Sequence, residues 1–471
     1  MSDALRDRYA GREMIDIFSA ARRYRTWREL WLVLARSQRE LGLPISEEQI
    51  WALEEAAGTI DLDRVAALER ETRHDVVAHL RHFAELAGPG GGILHLGATS
   101  AYLTDNTDVI LQRDALRLLR HGLFSLAAEL AALARRTAAL PALAYTHFQP
   151  AQLTTVGKRA CLWLQDVMED LGAVEDRLAR LRCRGVKGTT GTQASFLTLF
   201  GGDHQRVEEL DRRVATALGF ERSWAVTGQT YPRKQDSQVL AVLAGIAESC
   251  HKLGTDLRLL QGVGELQEPF GEAQVGSSAM AYKRNPVRAE RMCGLARRLL
   301  TDAVNGPLNA ATQWLERSLD DSANRRLVLE DSFLTADAIV RLAAGIVRGI
   351  TVNETVIAAR VRRELPFMAT ETLLMEAVVR GGDRQELHER LRRYSLEAHE
   401  AIAQGRDNPL VDRIAGDTDF RMSRQDIASL LDPGAFVGRS AEQVAAFLAS
   451  EVDPVLERDP EARAPIEEPR V

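Results

Sequence analysis

Apolar residues recur at three- and four-residue steps over long stretches of this chain, and that spacing limits what it can fold into. Leu116, Leu119, Leu123, Leu126, Leu130 and Leu133 form one such stripe. Val239, Leu243, Ile246, Cys250, Leu253, Leu257 and Leu260 form another, and Leu329, Phe333, Ala336, Val340, Ala343, Val347 and Ile350 a third. Val156, Ala160, Trp163, Val167, Leu171, Val174, Leu178 and Leu181 make a fourth, with one extra step. This is the helical period, not strand alternation. A 25-residue helix is roughly 37 Å long at ~1.5 Å per residue. Several helices of that length bury their stripes only by lying side by side, so the expected fold is all-α, an elongated bundle. Such seams can also run between chains.

The breaks divide the chain into three expected domains, 1–99, 100–351 and 352–471. Gly88-Pro89-Gly90-Gly91-Gly92 closes the first region. Pro141, Pro150 and the glycine-rich loop from Arg184 to Thr192 interrupt the bundle. That loop lacks a Walker pattern and a preceding strand, so it does not read as a phosphate cradle. After Thr351 the helices become shorter, punctuated by Leu365-Pro366 and Asp432-Pro433-Gly434. From Arg458 onward the Pro- and Glu-rich tail is expected to be poorly ordered.

A net charge of -7 gives no global basic footprint for nucleic acid. An anionic ligand therefore needs a local group of Arg and Lys. Lysine occurs only at 158, 187, 234, 252 and 283, which sets Lys283 apart from surface filler. Cys161, Cys183, Cys250 and Cys293 are scattered, as in a reduced cytoplasmic protein. No basic-then-apolar leader is evident, and the apolar run from Leu30 to Ala35 is too short to span a bilayer.

Four segments could carry chemistry. Gly276-Ser277-Ser278-Ala279-Met280-Ala281-Tyr282-Lys283-Arg284-Asn285-Pro286 precedes a helix expected from Val287 to Leu300. Backbone N–H groups, the helix dipole and Lys283 there suit an anion, although Gly-Ser-Ser alone is an ordinary turn. Thr72-Arg73-His74-Asp75, His95, Thr99-Ser100 and Asp105-Asn106 group polar residues that could equally be helix caps. His147, in Tyr145-Thr146-His147-Phe148-Gln149-Pro150, is a natural proton donor near neutral pH, though a lone His is more often structural. Glu316-Arg317-Ser318-Leu319-Asp320-Asp321-Ser322-Ala323-Asn324-Arg325-Arg326 opens a hydrophobic helix. Acids suit that position, but three arginines do not follow from it, and their forks fit phosphate or carboxylate. No His/carboxylate set has metal-ligand spacing, and no metal is expected.

The eleven-residue loop resembles the signature of the fumarase/aspartase superfamily. Its Tyr-Lys-Arg-Asn-Pro ending, with the stretches Thr146–Arg159 and Leu319–Arg326, narrows the likeness to the adenylosuccinate lyase family, in the branch that includes the animal enzymes. The likeness runs from Arg8-Tyr9 to about Arg439-Ser440. It implies an all-α homotetramer whose active sites draw on three subunits. It also implies elimination of fumarate from adenylosuccinate and from the succinylated imidazole carboxamide ribotide of purine synthesis, without a cofactor. By resemblance Ser277 is the general base, His147 the general acid, Glu290 its orienting carboxylate, and Lys283 a support for the serine alkoxide. Arg73, His74, Asp75, Thr99, Ser100, Gln229 and Asn285 match positions around the succinyl group and ring, and His95 another active-site histidine. Arg291, Arg317, Ser322 and Arg326 match positions that hold substrate and its phosphate, and Arg8 and Tyr9 a nucleotide contact.

One departure stands out: the family usually has Met-Pro where this chain has Met280-Ala281. Losing Pro frees the backbone, so closing the loop is expected to cost more entropy. Sister enzymes share the Gly-Ser-Ser loop but are not expected to combine Thr-Arg-His-Asp with Asp-Asp-Ser-Ala-Asn-Arg-Arg. A catalytically retired structural paralogue is the alternative from a different class. The presence together of Ser277, His147, Lys283 and Glu290 speaks against it.

Overall fold

The computed structural model describes residues 4–271, 274, 276, 279–280 and 282–469. Each stripe lies on a helix, except that Leu181 and Ile350 fall just past the ends of theirs. These and their neighbours are α1 (Ala20–Glu40), α2 (Asp75–Ala87), α3 (Ser100–Arg136), α4 (Val156–Arg180), α5 (Lys234–Gly262), α6 (Val287–Asp302), α7 (Asp320–Arg348) and α8 (Glu354–Met368). Caps set several starts. Ser19 accepts from the Arg22 N–H at α1, and Thr155 from the Lys158 N–H at α4. Basic residues close α3 (Arg135, Arg136) and α4 (Arg177, Arg180), where they oppose the negative helix end.

Helix α7 is the axis of the bundle. From Ser332 to Val347 every residue is buried, the pattern of a helix enclosed on all sides. Helices α3, α5 and α6 pack on it, and α4 bridges α3 and α5. Helix α6 runs antiparallel to α7. Arg298 near the α6 C-terminus pairs with Asp331 at 2.5 Å, while Arg288 at its start reaches Glu468, which lies against Gly345.

Smaller apolar cores flank the bundle. One joins Trp31, Leu53 and Phe83 to Phe196 and Val214; another gathers Leu373, Leu391, Leu410 and Phe420. The segment from Ser440 returns to the bundle through Val444, Leu448 and Val452.

Two features differ from the sequence expectation. Pro141 and Pro150 do not simply interrupt the bundle: they belong to an antiparallel hairpin, β1 (Pro141–Thr146) and β2 (Gln149–Thr155). Pro141 opens β1, and Pro150 sits where the register slips between Ala144 and Tyr145. A residue without an N–H is tolerated at a strand start and at a bulge. Leu143 and Leu153 of the hairpin share a core with Ile357, Val361 and Leu365 of α8. Pro366 falls in the last turn of α8 rather than ending it. Along the Pro- and Glu-rich tail, polar groups meet bundle arginines. Asp459 accepts from Arg120 (2.7 Å), and the Ile466 and Glu467 carbonyls accept from Arg348 and Arg341 (both 3.2 Å).

The α3–α4 junction leaves no room for a side chain at Gly157. A Cβ there would lie 2.4 Å from the Ala134 carbonyl oxygen and 2.6 Å from Ala138 Cα, both backbone atoms. Gly157→Ala should therefore lower unfolding stability by roughly 1–3 kcal/mol through overpacking, read as a lower denaturant midpoint. An unchanged midpoint would mean that the two helix ends separate freely.

Candidate active site

At the N-terminal end of α7 the chain brings together three segments that are far apart in sequence. His74 is the N-cap of α2, with extended φ of -149°, and its Nδ1 accepts from the Val77 N–H at 3.5 Å. Arg73 before it takes the left-handed conformation, φ 51°. His74 Nε2 lies 3.4 Å from Ser100 Oγ at the start of α3, beside the N-cap Thr99. Asp75 accepts from Arg326 of α7 at 2.9 Å. Burial opposes the charge of Asp75, but the Val76 N–H and the Arg326 guanidinium outweigh it and hold the carboxyl below its usual range. Of the residues expected here, Arg73, His74, Asp75, Thr99, Ser100 and Arg326 thus form one group.

His95 adjoins them, also with left-handed φ of 64°. Its Nδ1 accepts from the Trp31 indole N–H at 3.0 Å. Indole only donates, so Nδ1 carries no proton, and the neutral ring presents Nε2–H. Burial, with a smaller contribution from His74, pushes its pKa down to about 4.

A buried ionic lattice underlies the group. Arg317 donates to Asp321 (2.8 Å), Asp321 accepts from Arg233 (2.6 Å), and Arg233 donates to Asp105 (3.1 and 3.2 Å). Arg325 donates to Asp236 (2.7 Å), Asp108 (3.0 Å) and the Tyr231 hydroxyl (2.7 Å), and Arg23 pairs with Asp108 at 3.0 Å. Asp105, Asp108, Asp236 and Asp321 balance Arg23, Arg233, Arg317 and Arg325. Gln229 is held through its main chain: its N–H donates to the Glu316 carbonyl (2.9 Å), and its carbonyl accepts from the buried Arg184 (2.6 Å). Ser322 lies in the first turn of α7, its N–H bonded to the Leu319 carbonyl at 3.0 Å. Arg233 and Arg184 have no marker in local sequence. The one hint is a set of aspartates on otherwise enclosed helices, which calls for arginines somewhere in the chain.

The remaining candidates sit elsewhere. Asn285 donates to the Gly276 carbonyl at 3.0 Å, and Lys283 is exposed. Glu290 is exposed in the first turn of α6. The Arg291 guanidinium lies 5.9 Å from the Tyr9 ring. Arg8 and Tyr9 lie on a short π-helical turn, Leu5–Tyr9, whose Arg6 pairs with Glu330 of α7. Ser277 and Ala281 lie outside the described residues. Since α6 starts near Gly345, Glu290 lies toward the opposite end of α7 from Arg326. The intervening stretch of α7 spans roughly 28 Å at ~1.5 Å per residue.

His147 is at the tip of the β1–β2 hairpin and exposed. His147 and Phe148 form its two-residue turn, both left-handed, with φ of 51° and 57°. Among the described residues no hydrogen bond or ion pair joins His147 to Glu290.

Comparison with known proteins gives two matched family patterns, "Lyase" over residues 8–300 and "Adenylosuccinate lyase C-terminus" over 366–447. The adenylosuccinate lyase of Saccharomyces cerevisiae is 46% identical over 96% of this chain and 95% of its own length. That of Schistosoma mansoni is 45% identical over the same shares, and that of Pyrococcus abyssi 30% identical over 93% and 95%. Among solved structures, a 3-carboxy-cis,cis-muconate lactonizing enzyme from Pseudomonas putida superposes with a TM-score of 0.82 over 95% of this chain and 98% of that one. A fumarate lyase from Mesorhizobium sp. BNC1 superposes with 0.78 over 94% and 98%. At 22% and 23% identity these two establish the fold alone.

The burial of His95 makes stability depend on pH. The unfolded chain protonates His95 near 6.5, the folded one only near 4. Below 6.5 the unfolded state binds the extra proton, so stability falls as pH drops from 6.5 to 4. His95→Gln keeps an acceptor for Trp31 and should flatten that limb by up to ~1.4 kcal/mol per pH unit. Denaturant unfolding of both proteins at pH 7, 6, 5 and 4.5 measures it, and parallel limbs would refute it.

Proposed function

The chain belongs to the adenylosuccinate lyase family, and on that premise we propose how its dispersed residues carry out one elimination. The enzyme is a carbon–nitrogen lyase that splits adenylosuccinate into AMP and fumarate. The succinylated imidazole carboxamide ribotide carries the same succinyl-amine linkage and is its second substrate. Near-complete overlap at 46% identity with a relative of that name carries the reading.

A base must take a weakly acidic proton from carbon, and an acid must protonate the departing nitrogen. Ser277 Oγ, as alkoxide, takes a proton from the succinyl CH2, the carbon next to the one that bears nitrogen. The carbon–carbon double bond forms, the C–N pair leaves on nitrogen, and protonated His147 supplies the proton that neutralises it. Lys283 stabilises the serine alkoxide, and Glu290 orients His147. Arg73, His74, Thr99, Ser100, Gln229 and Asn285 hold the succinyl group and ring, with Asp75 steering Arg326. His95 contributes an Nε2–H donor. Arg8, Tyr9, Arg291, Arg317, Ser322 and Arg326 hold nucleotide and phosphate. The steps balance without a cofactor.

The His74 group and Glu290 lie toward opposite ends of α7 in one chain, which supports a working site built between copies, in a homotetramer whose chains divide into domains at 1–99, 100–351 and 352–471. Exposed apolar side chains near the start of α7 favour this: Trp314 is 66% exposed, Leu315 93%, Leu319 71% and Leu327 60%. A patch of that kind calls for a covering partner. The cytoplasm is the proposed compartment, in keeping with four free cysteines. Among the described residues no helix is long and apolar enough to cross a membrane.

Ultraviolet monitoring of adenylosuccinate should show turnover that Ser277→Ala lowers by about a thousandfold or more. Turnover surviving in Ser277→Ala would remove the base from Ser277, and none in the folded wild type would send the search to sister substrates. A second expectation concerns sharing. Ser277→Ala and His147→Ala, each strongly impaired alone, should regain activity when mixed under subunit exchange. Failure to regain any would place the whole site within one chain.

A further inference from the structure

We infer that Glu265, through Tyr145 and Arg360, is a positioning residue that holds His147 in its reactive orientation; this rests on the reading of His147 as the general acid. The hairpin turn that presents His147 is made of two non-glycine residues in the left-handed region, φ 51° and 57°. Two-residue hairpin turns of this type ordinarily use Asn-Gly or Gly-Gly. Side chains hold such a backbone only where the surroundings over-determine it. The ladder itself is a weak constraint here, because the register slips between Ala144 and Tyr145 just before the turn. A one-residue slip would send His147 to the other face.

Tyr145 is what fixes this point. Its hydroxyl donates to Glu265 Oε1 at 2.6 Å and accepts from Arg360 Nη2 at 3.0 Å, while Arg360 Nε donates to the same Oε1 at 2.9 Å. Arg159 of α4 stands 3.6 Å from Glu265 Oε2 and donates to the Leu143 carbonyl of β1. The Tyr145 ring packs on Phe148 with centroids 5.6 Å apart, so the anchor reaches the turn itself. Glu265 is 1% exposed. Its own backbone is pinned on both sides: its N–H donates to the Leu260 carbonyl and its carbonyl accepts from the Asn353 N–H, both at 2.9 Å. One rigid carboxylate therefore joins β1, α4, α8 and the end of α5. With its charge gone, Arg159 and Arg360 face each other unbalanced and Tyr145 keeps at most a neutral acceptor.

A residue that only tethers α8 to the hairpin would alter stability whatever stands at 147. A positioning residue acts on rate only when His147 is present. The test is a double-mutant cycle on the full-length enzyme, measuring kcat, KM and Tm with adenylosuccinate. Glu265→Gln should lower kcat about tenfold or more with KM within roughly threefold, and should add nothing to the loss in His147→Ala. Equal factors in both backgrounds, or an unchanged kcat in the folded single variant, would overturn the inference. If Glu265→Gln fails to fold, Tyr145→Phe keeps the ring and the ion pairs and is judged by the same two comparisons. Undiminished kcat in His147→Ala would overturn the acid assignment, and the inference with it.

Discussion

The bond on which the site end of this structure depends is the clasp of Arg233 between Asp105 and Asp321. All three are almost fully buried. The clasp ties the start of α3 to the start of α7 through a residue one position before α5. Buried ion pairs are poor sources of net stability, because desolvation offsets most of their attraction. Their directional demand is another matter. Loss of one partner would leave a charge uncompensated, so helix offsets that break the pairing are strongly disfavoured. The same clasp fixes Asp321, which in turn fixes Arg317. The position of the Arg317 guanidinium is thus set by helix register inside the bundle.

From this follows the peculiar geography of the candidate residues. Rigid helices act as spacers. The His74 group sits at one end of α7, and the Asn285–Glu290 segment lies toward the other. A helix of this stiffness cannot bend its ends together. The exposed positions of Lys283, Glu290 and His147 are then unsurprising: they face outward from the chain that bears them.

The long helices were legible because a 3.6-residue period repeated over many turns is hard to produce in any other way. The hairpin was not. Two prolines bracket it, and prolines read as breaks. Only the structure shows Pro141 at a strand start and Pro150 at a bulge, where a missing N–H is harmless. The charged lattice was half visible, since Asp105 and Asp321 stood in segments already marked as chemical. Arg233 and Glu265 were silent, because a lone charged residue shows nothing until its distant partner is in place. The roles proposed for Ser277 and His147 rest on likeness to a family rather than on spacing. A serine beside a glycine and a histidine before a proline have many ordinary explanations.

The enclosure of α7 also bears on how the chain is made. Arg341 donates to a carbonyl 126 residues later, and Arg348 to one 118 residues later. Gly11, near the beginning, waits for Asp337, 326 residues on. At ~5–20 residues per second, the first gap alone holds a guanidinium short of that partner for roughly 6–25 s during synthesis. An unfinished bundle with open seams is therefore an unavoidable stage in the birth of each copy. During it, neighbouring nascent chains and chaperones compete for the surface that α7 later closes.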